Sequence, residues 1–214
     1  MPKIFNLIIL DESGSMASMK LGTISAFNEL IQSIRASLKK NTELEQWLLF
    51  YTFNSSGIKE RIPLQVVDHP LELDEDSYQP DNMTPLFDAI GHACNKLRYA
   101  IEKESEPKVL VTILTDGAEN DSREFTLATI ANMTAQLEKQ GWTFTYMGAN
   151  QDSFSVAKSL NIKNASNWSF NEEGLKNMML KENHARMRYY DRAVQKQENK
   201  VEPNYFDDDK KETD

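Results

Sequence analysis

Two hydrophobic periodicities alternate along this chain. Short, nearly unbroken apolar runs, such as Ile4-Phe-Asn-Leu-Ile-Ile-Leu10 and Val109-Leu-Val-Thr-Ile-Leu-Thr115, are too short for core helices and read as strands buried on both faces. Between them, apolar residues recur at helical spacing, as in Leu21, Ile24, Phe27, Leu30, Ile31, Ile34 and Leu38. The pattern predicts strands at 3–10, 47–53, 58–67, 108–115, 143–147 and 164–168. It predicts helices over about 21–38, 85–103, 122–140 and 172–200, plus a short one capped by Asp152 and ending before Asn161. Asn54-Ser-Ser-Gly57 reads as a hairpin turn, which makes 58–67 an antiparallel edge strand, and 68–83 reads as a polar, acidic loop. Strands separated by helices imply an α/β fold: a Rossmann-like, doubly wound, mostly parallel sheet with helices on both faces and a long C-terminal helix.

Candidate chemistry falls at the element boundaries. Asp11, Ser13 and Ser15 follow the first strand at i, i+2 and i+4. In a tight strand-to-helix loop that spacing can turn alternate side chains toward one point. Thr84 precedes Pro85 at a predicted helix start, where Pro is favoured. Asp116-Gly117 follows the strand at 108–115. In an open α/β sheet such positions gather at the carboxyl edge, where ligands bind. All five side chains offer hard oxygen atoms suited to Mg²⁺, Mn²⁺ or Ca²⁺.

An Asp-x-Ser-x-Ser motif, a distant Thr, and an Asp-Gly after an apolar strand together resemble a von Willebrand factor A (VWA) domain of the intracellular, stand-alone type. The resemblance covers roughly residues 2–170 and extends to Asp116-Gly-Ala-Glu-Asn120 and Gly148. It implies an intact metal-ion-dependent adhesion site formed by Asp11, Ser13, Ser15, Thr84 and Asp116, with Mg²⁺ favoured over Mn²⁺ and Ca²⁺. It further implies a cytoplasmic adaptor, without catalytic activity, that captures a Glu or Asp of another protein. Partners of such modules include ATPases, kinases and phosphatases. In the family, metal ligation couples to movement of the last helix.

Composition narrows the function classes. The chain has 214 residues, 40% of them hydrophobic, a net charge of −9 and one cysteine. It suits one domain (1–171), a C-terminal helix (172–200) packing on or extending from it, and a disordered acidic tail (201–214). An acidic body disfavours nucleic acid and anionic membranes. No apolar run reaches the ~20 residues of a membrane span, and no charged-then-apolar leader opens the chain. Cys94 falls on an apolar helix face and reads as a buried structural thiol. Glu12, Asp81, Glu119 and Asp121 read as solvated loop acids.

Other classes fit less well. A metal-dependent phosphatase or other hydrolase is one alternative, but Ser13 stands where a dehalogenase-like enzyme needs its second Asp. His69, His92 and His184 follow no strand end, so no base is placed for a Ser nucleophile. No Gly-x-Gly-x-x-Gly or Walker motif is present. The remaining alternative is an RNA-associated role, for which the only basic stripe is Arg186, Arg188, Arg192 and Lys196, read mainly as a solvated face.

Overall fold

The computed structural model describes residues 1–40, 42–67, 72–149, 153–195 and 204–206. Six strands form one sheet in the order β3-β2-β1-β4-β5-β6: β1 (Lys3–Asp11), β2 (Glu45–Asn54), β3 (Gly57–Val66), β4 (Lys108–Thr115), β5 (Trp142–Ala149) and β6 (Asn164–Trp168). All neighbours are parallel except β2 and β3, which form the predicted antiparallel hairpin at one edge. β3 is half-exposed and carries Lys59, Glu60, Arg61 and Pro63, the polar punctuation that keeps an edge strand from pairing further.

Alternation along β1 sorts its side chains between two cores. Phe5, Leu7 and Ile9 pack with α2 (Leu86–Ala100), α3 (Leu127–Lys139) and α4 (Ser153–Ser159). Ile8 and Leu10 face the opposite way, against α1 (Lys20–Lys40) and α5 (Glu172–Gln195). Both faces of the sheet are covered, which is why its central strands read as continuous apolar runs. Cys94 is fully buried in α2, and burial pushes its thiol up to about 12, so it is inert at neutral pH.

Two boundaries differ from expectation. A 3-10 segment, Gly14–Met19, precedes α1 and carries Ser15. α3 starts at Leu127 instead of near 122, because the Asp88 carboxylate in α2 accepts the backbone N–H groups of Arg123, Glu124 and Phe125. Those donors are satisfied outside a helix, and Thr126 then caps α3 through a reciprocal pair with Thr129. The phenyl ring of Phe125 fills the space above Gly91, where a Cβ would sit 2.6 Å from it.

The largest correction concerns α5. Arg186, read as part of a solvated basic stripe, is fully buried, and Leu175, Met178, Met179, Ala185 and Tyr190 of the same helix are buried with it. Arg188 and Arg192 are half-buried, and Lys196 lies outside the described residues. Within the expected disordered tail, Tyr205 and Phe206 are buried: the Tyr205 hydroxyl donates to Glu182 of α5, and its N–H donates to Asn164 of β6. Residues 201–203 and 207–214, His69 and the Asp152 cap lie outside the described residues. Among the described residues no helix is long and apolar enough to cross a membrane.

Candidate metal centre at the carboxyl edge

From the end of β1 the chain runs to β2 on one side, and after β3 it crosses to β4 on the other. β1 and β4 are therefore neighbours whose following loops diverge, a topological switch point that opens a crevice at their carboxyl ends. Asp11 is the last residue of β1, and Asp116 directly follows β4. Thr84 stands two residues before α2, and Ser13 and Ser15 belong to the turn after β1.

Backbone hydrogen bonds fasten these loops together. Asp81 N–H donates to the Glu12 carbonyl (3.0 Å) and Gly14 N–H to the Asn82 carbonyl (3.0 Å). Asn82 adopts a left-handed conformation (φ 66°) that Asn tolerates better than most residues. Thr84 is clamped from the far side: its N–H donates to Asn120 Oδ1 (2.7 Å), and the Asn120 N–H donates to its carbonyl (3.1 Å). Tyr78, fully buried, donates its hydroxyl to the Asp11 carbonyl at 2.6 Å.

The side chains converge within this frame. Ser13 N–H donates to Asp11 Oδ1 at 2.7 Å, the Ser13 and Ser15 hydroxyls are 3.2 Å apart, and Ser15 Oγ donates to Asp116 Oδ1 at 2.8 Å. The Thr84 hydroxyl joins them over Gly117: a Cβ there would lie 3.2 Å from Thr84 Oγ1 and 3.7 Å from Ser15 Oγ. All five sequence-predicted residues thus meet at one edge. Asp11, Ser13, Thr84 and Asp116 are buried and Ser15 is exposed, so access is from the Ser15 side.

Electrostatics distinguish the two aspartates from ordinary surface acids. Burial pushes the Asp11 carboxyl up to about 6, against the opposing pull of hydrogen bonds from Thr115 and Ser13, and the like charge of Asp116 adds to the rise. Burial also raises Asp116. Two desolvated carboxylates side by side favour a bound cation. Among the described residues no group of three His, Cys, Asp or Glu is placed to hold a metal, so an ion at this edge would rest on a mixed hydroxyl and carboxylate set. Hard oxygens with only two carboxylates fit Mg²⁺ or Mn²⁺, which keep water ligands, better than a thiolate- or imidazole-seeking metal.

Sequence reasoning missed several supporting residues. Glu12, read as solvated, is fully buried: Arg61 Nη2 lies 2.9 Å from both of its oxygens, Lys59 lies at 3.5 Å, and the Gln79 N–H donates to it. It turns away from the site and ties β1 to β3 and to the loop before α2. Glu119 is half-buried and accepts the N–H groups of Phe87, Asp121 and Ser122, fixing the start of α2. Thr115 donates to Asp11 Oδ2. Only the position of Thr115, a hydroxyl at a strand end directly before an Asp, could have flagged it.

Asn120→Ala leaves the Thr84 N–H without its acceptor. It should cost about 1–2 kcal/mol in urea unfolding, while Asn120→Asp, which keeps an acceptor oxygen, should cost less.

No protein-family profile matches the chain, and no curated protein matches it. Solved structures do. The chain is similar to proximal thread matrix protein 1 from the mussel byssus (TM-score 0.55, 14% identity), covering 87% of this chain and 46% of that one. The chain therefore spans about half the length of the mussel protein. It is similar to the VWA domain of SpRpn10 (TM-score 0.54, 9% identity, 83% of this chain and 94% of that one). It is also similar to manganese-loaded TRAP protein of Plasmodium vivax (TM-score 0.51, 18% identity, 83% and 73%). These likenesses show a VWA-like fold.

Proposed function

We propose that this chain is a divalent-metal-dependent protein-binding module, an adaptor that captures an acidic side chain of a partner protein. The observation that carries the reading is the continuous contact chain Asp11–Ser13–Ser15–Asp116, with Thr84 beside it, at the switch point of a VWA-like sheet. The manganese in the Plasmodium structure supports the same class of ion here. Ser13, Ser15 and Thr84 would hold it through their hydroxyls, and Asp11 and Asp116 directly or through water. Once bound, the ion supplies a Lewis-acidic position at which a partner's Glu or Asp can replace water. The chain's residues fix the hydroxyls, exclude water from the buried side and leave the Ser15 side open to a partner.

The alternatives find less support. Hydrolysis would have to use the Asp11 or Asp116 carboxylate as its base, because the described histidines are elsewhere: His92 lies within α2 beside Glu124 (3.0 Å), and His184 is on the exposed side of α5. An RNA-binding stripe loses Arg186 to the interior. A cytoplasmic setting and an ATPase, kinase or phosphatase as partner belong to the proposal by resemblance.

Thr84→Ala tests the reading. It should weaken Mn²⁺ binding by tenfold or more, and with it the capture of a short Glu-containing peptide over its Gln counterpart. The melting temperature of the metal-free protein should stay within about 2 °C of wild type, because alanine keeps both main-chain bonds to Asn120 and loses only the hydroxyl and one methyl. Parallel losses of binding and stability would count against a site role for Thr84.

A further inference from the structure

We propose that Thr115 is a positioning residue of this metal centre, a hydroxyl at the end of β4 that fixes the Asp11 carboxylate of β1 relative to the loop carrying Asp116. The inference rests on the metal-binding reading above and concerns a residue outside the five-residue ligand set. Thr115 is the last residue of β4 and is 1% exposed. Its Oγ1 lies 2.5 Å from Asp11 Oδ2 on β1 and accepts the N–H of Gly117 at 3.1 Å. The hydroxyl has one proton. An ionised Asp11 can only accept it, and Gly117 N–H can only donate. The alternative acceptor, the Gly117 carbonyl, is farther away at 3.2 Å. The pattern therefore runs in one direction, from Gly117 N–H to Thr115 to Asp11.

The consequences are geometric. Asp11 Oδ1 is held by the Ser13 N–H and Oδ2 by Thr115, so the carboxylate plane is fixed at both oxygens. Asp116 lies between the two residues that share this hydroxyl, Thr115 and Gly117, and its Oδ1 is held by Ser15. Gly117 in turn lies beneath Thr84 Oγ1 and Ser15 Oγ. One side chain thus ties the β1 carboxylate to the β4 loop that carries the second carboxylate and underlies two of the hydroxyls. Asn120 and Tyr78 each hold only the main chain of a single ligand residue. Partners that orient a ligand without touching the ion typically change metal affinity by about 10–100-fold when removed.

The test compares Thr115→Val, which keeps the shape and removes the hydroxyl, with Thr115→Ser, which keeps the hydroxyl and removes the methyl. Mn²⁺ affinity is measured by calorimetry, and the melting temperature is measured without metal. Thr115→Val should bind Mn²⁺ about 10–100-fold more weakly than wild type. Thr115→Ser should restore affinity to within about threefold, even if its metal-free fold is less stable than that of Thr115→Val, because the hydroxyl orients and the methyl packs. If Thr115→Val does not fold, Thr115→Ala takes its place against the same serine rescue. Wild-type affinity in Thr115→Val, or equal losses in the Val and Ser variants, overturns the inference while leaving the metal site intact. Absence of Mn²⁺ binding to the wild type itself overturns both this inference and the reading beneath it.

Discussion

Arg186→Ala is expected to remove about 3–5 kcal/mol of folding stability, the usual cost of breaking a buried ion pair from one side. Arg186 and Glu182, one turn apart on α5, are both fully buried. The guanidinium donates to Glu182 Oε1 from Nε (3.1 Å) and Nη2 (2.7 Å), to Asn6 Oδ1 on β1 (2.8 Å), to Thr112 Oγ1 on β4 (2.5 Å) and to the Tyr190 hydroxyl (3.3 Å). Every donor position of the group is used, so the arginine joins α5 to the two central strands. Glu182 Oε2 has no hydrogen-bond partner among the described residues, so the carboxylate depends on Arg186 and on the Tyr205 hydroxyl at 3.0 Å. Removing the arginine strands that charge in the interior.

The double variant Glu182→Leu/Arg186→Met should recover part of the loss, because apolar replacement of a whole buried pair is often neutral or stabilising, while the Tyr205 hydroxyl loses its Glu182 acceptor. Asn6 would keep its bond from Tyr190 (2.6 Å) and Thr112 its contact with Thr145 (3.3 Å). Urea unfolding of both variants measures the effect. A loss below about 1 kcal/mol for Arg186→Ala would show that the pair is solvated and that α5 is not anchored as described.

Asp11→Asn should separate function from stability. The Asp11 carboxyl sits near 6, above its ordinary 3.8, so the fold holds that proton more tightly than the unfolded chain does. A raised carboxyl of this kind stabilises the metal-free fold as pH falls through about 6 toward 4, and its ionised form costs stability at neutral pH. Asn removes that charge at nearly constant shape. Ser13 N–H can still donate to its oxygen, and the Thr115 hydroxyl can turn toward the Gly117 carbonyl and accept from the new amide. Metal-free Asp11→Asn should therefore be more stable than wild type at neutral pH by about 1–3 kcal/mol.

Its Mn²⁺ affinity should fall by more than the about 10–100-fold that an outer partner is worth. In the wild type, metal affinity should weaken as pH drops below about 6, because protons then compete for Asp11. A variant that loses stability yet binds metal normally would contradict the assignment.

The fold was largely legible because this sheet is buried on both faces. Continuous apolar runs and helical stripes located all six strands and the main helices, and Asn54-Ser-Ser-Gly57 located the hairpin. The five candidate ligands could be named because each stands where an element ends. What was not legible depends on partners distant in sequence. Nothing local to Glu12 announces Arg61, and the local context of Arg186, charged and on a helix rich in Lys and Arg, points to solvent. Its burial is set by Asn6 and Thr112, which sit on strands far back in the chain. Asp88 misled in another way: by capping three N–H groups of the 123–125 segment, it overrode a sequence that could have continued as helix.

The central claim is that Asp11, Ser13, Ser15, Thr84 and Asp116 hold a divalent ion that a partner's carboxylate completes. It is tested most directly by calorimetric titration of Mg²⁺ and Mn²⁺ into the wild type and Asp11→Asn at neutral pH, with and without acetate as a carboxylate probe. The account predicts one ion per wild-type chain, bound more tightly when acetate is present, and no binding to Asp11→Asn. Equal heats for the two proteins, or no binding to the wild type at millimolar metal, would contradict it.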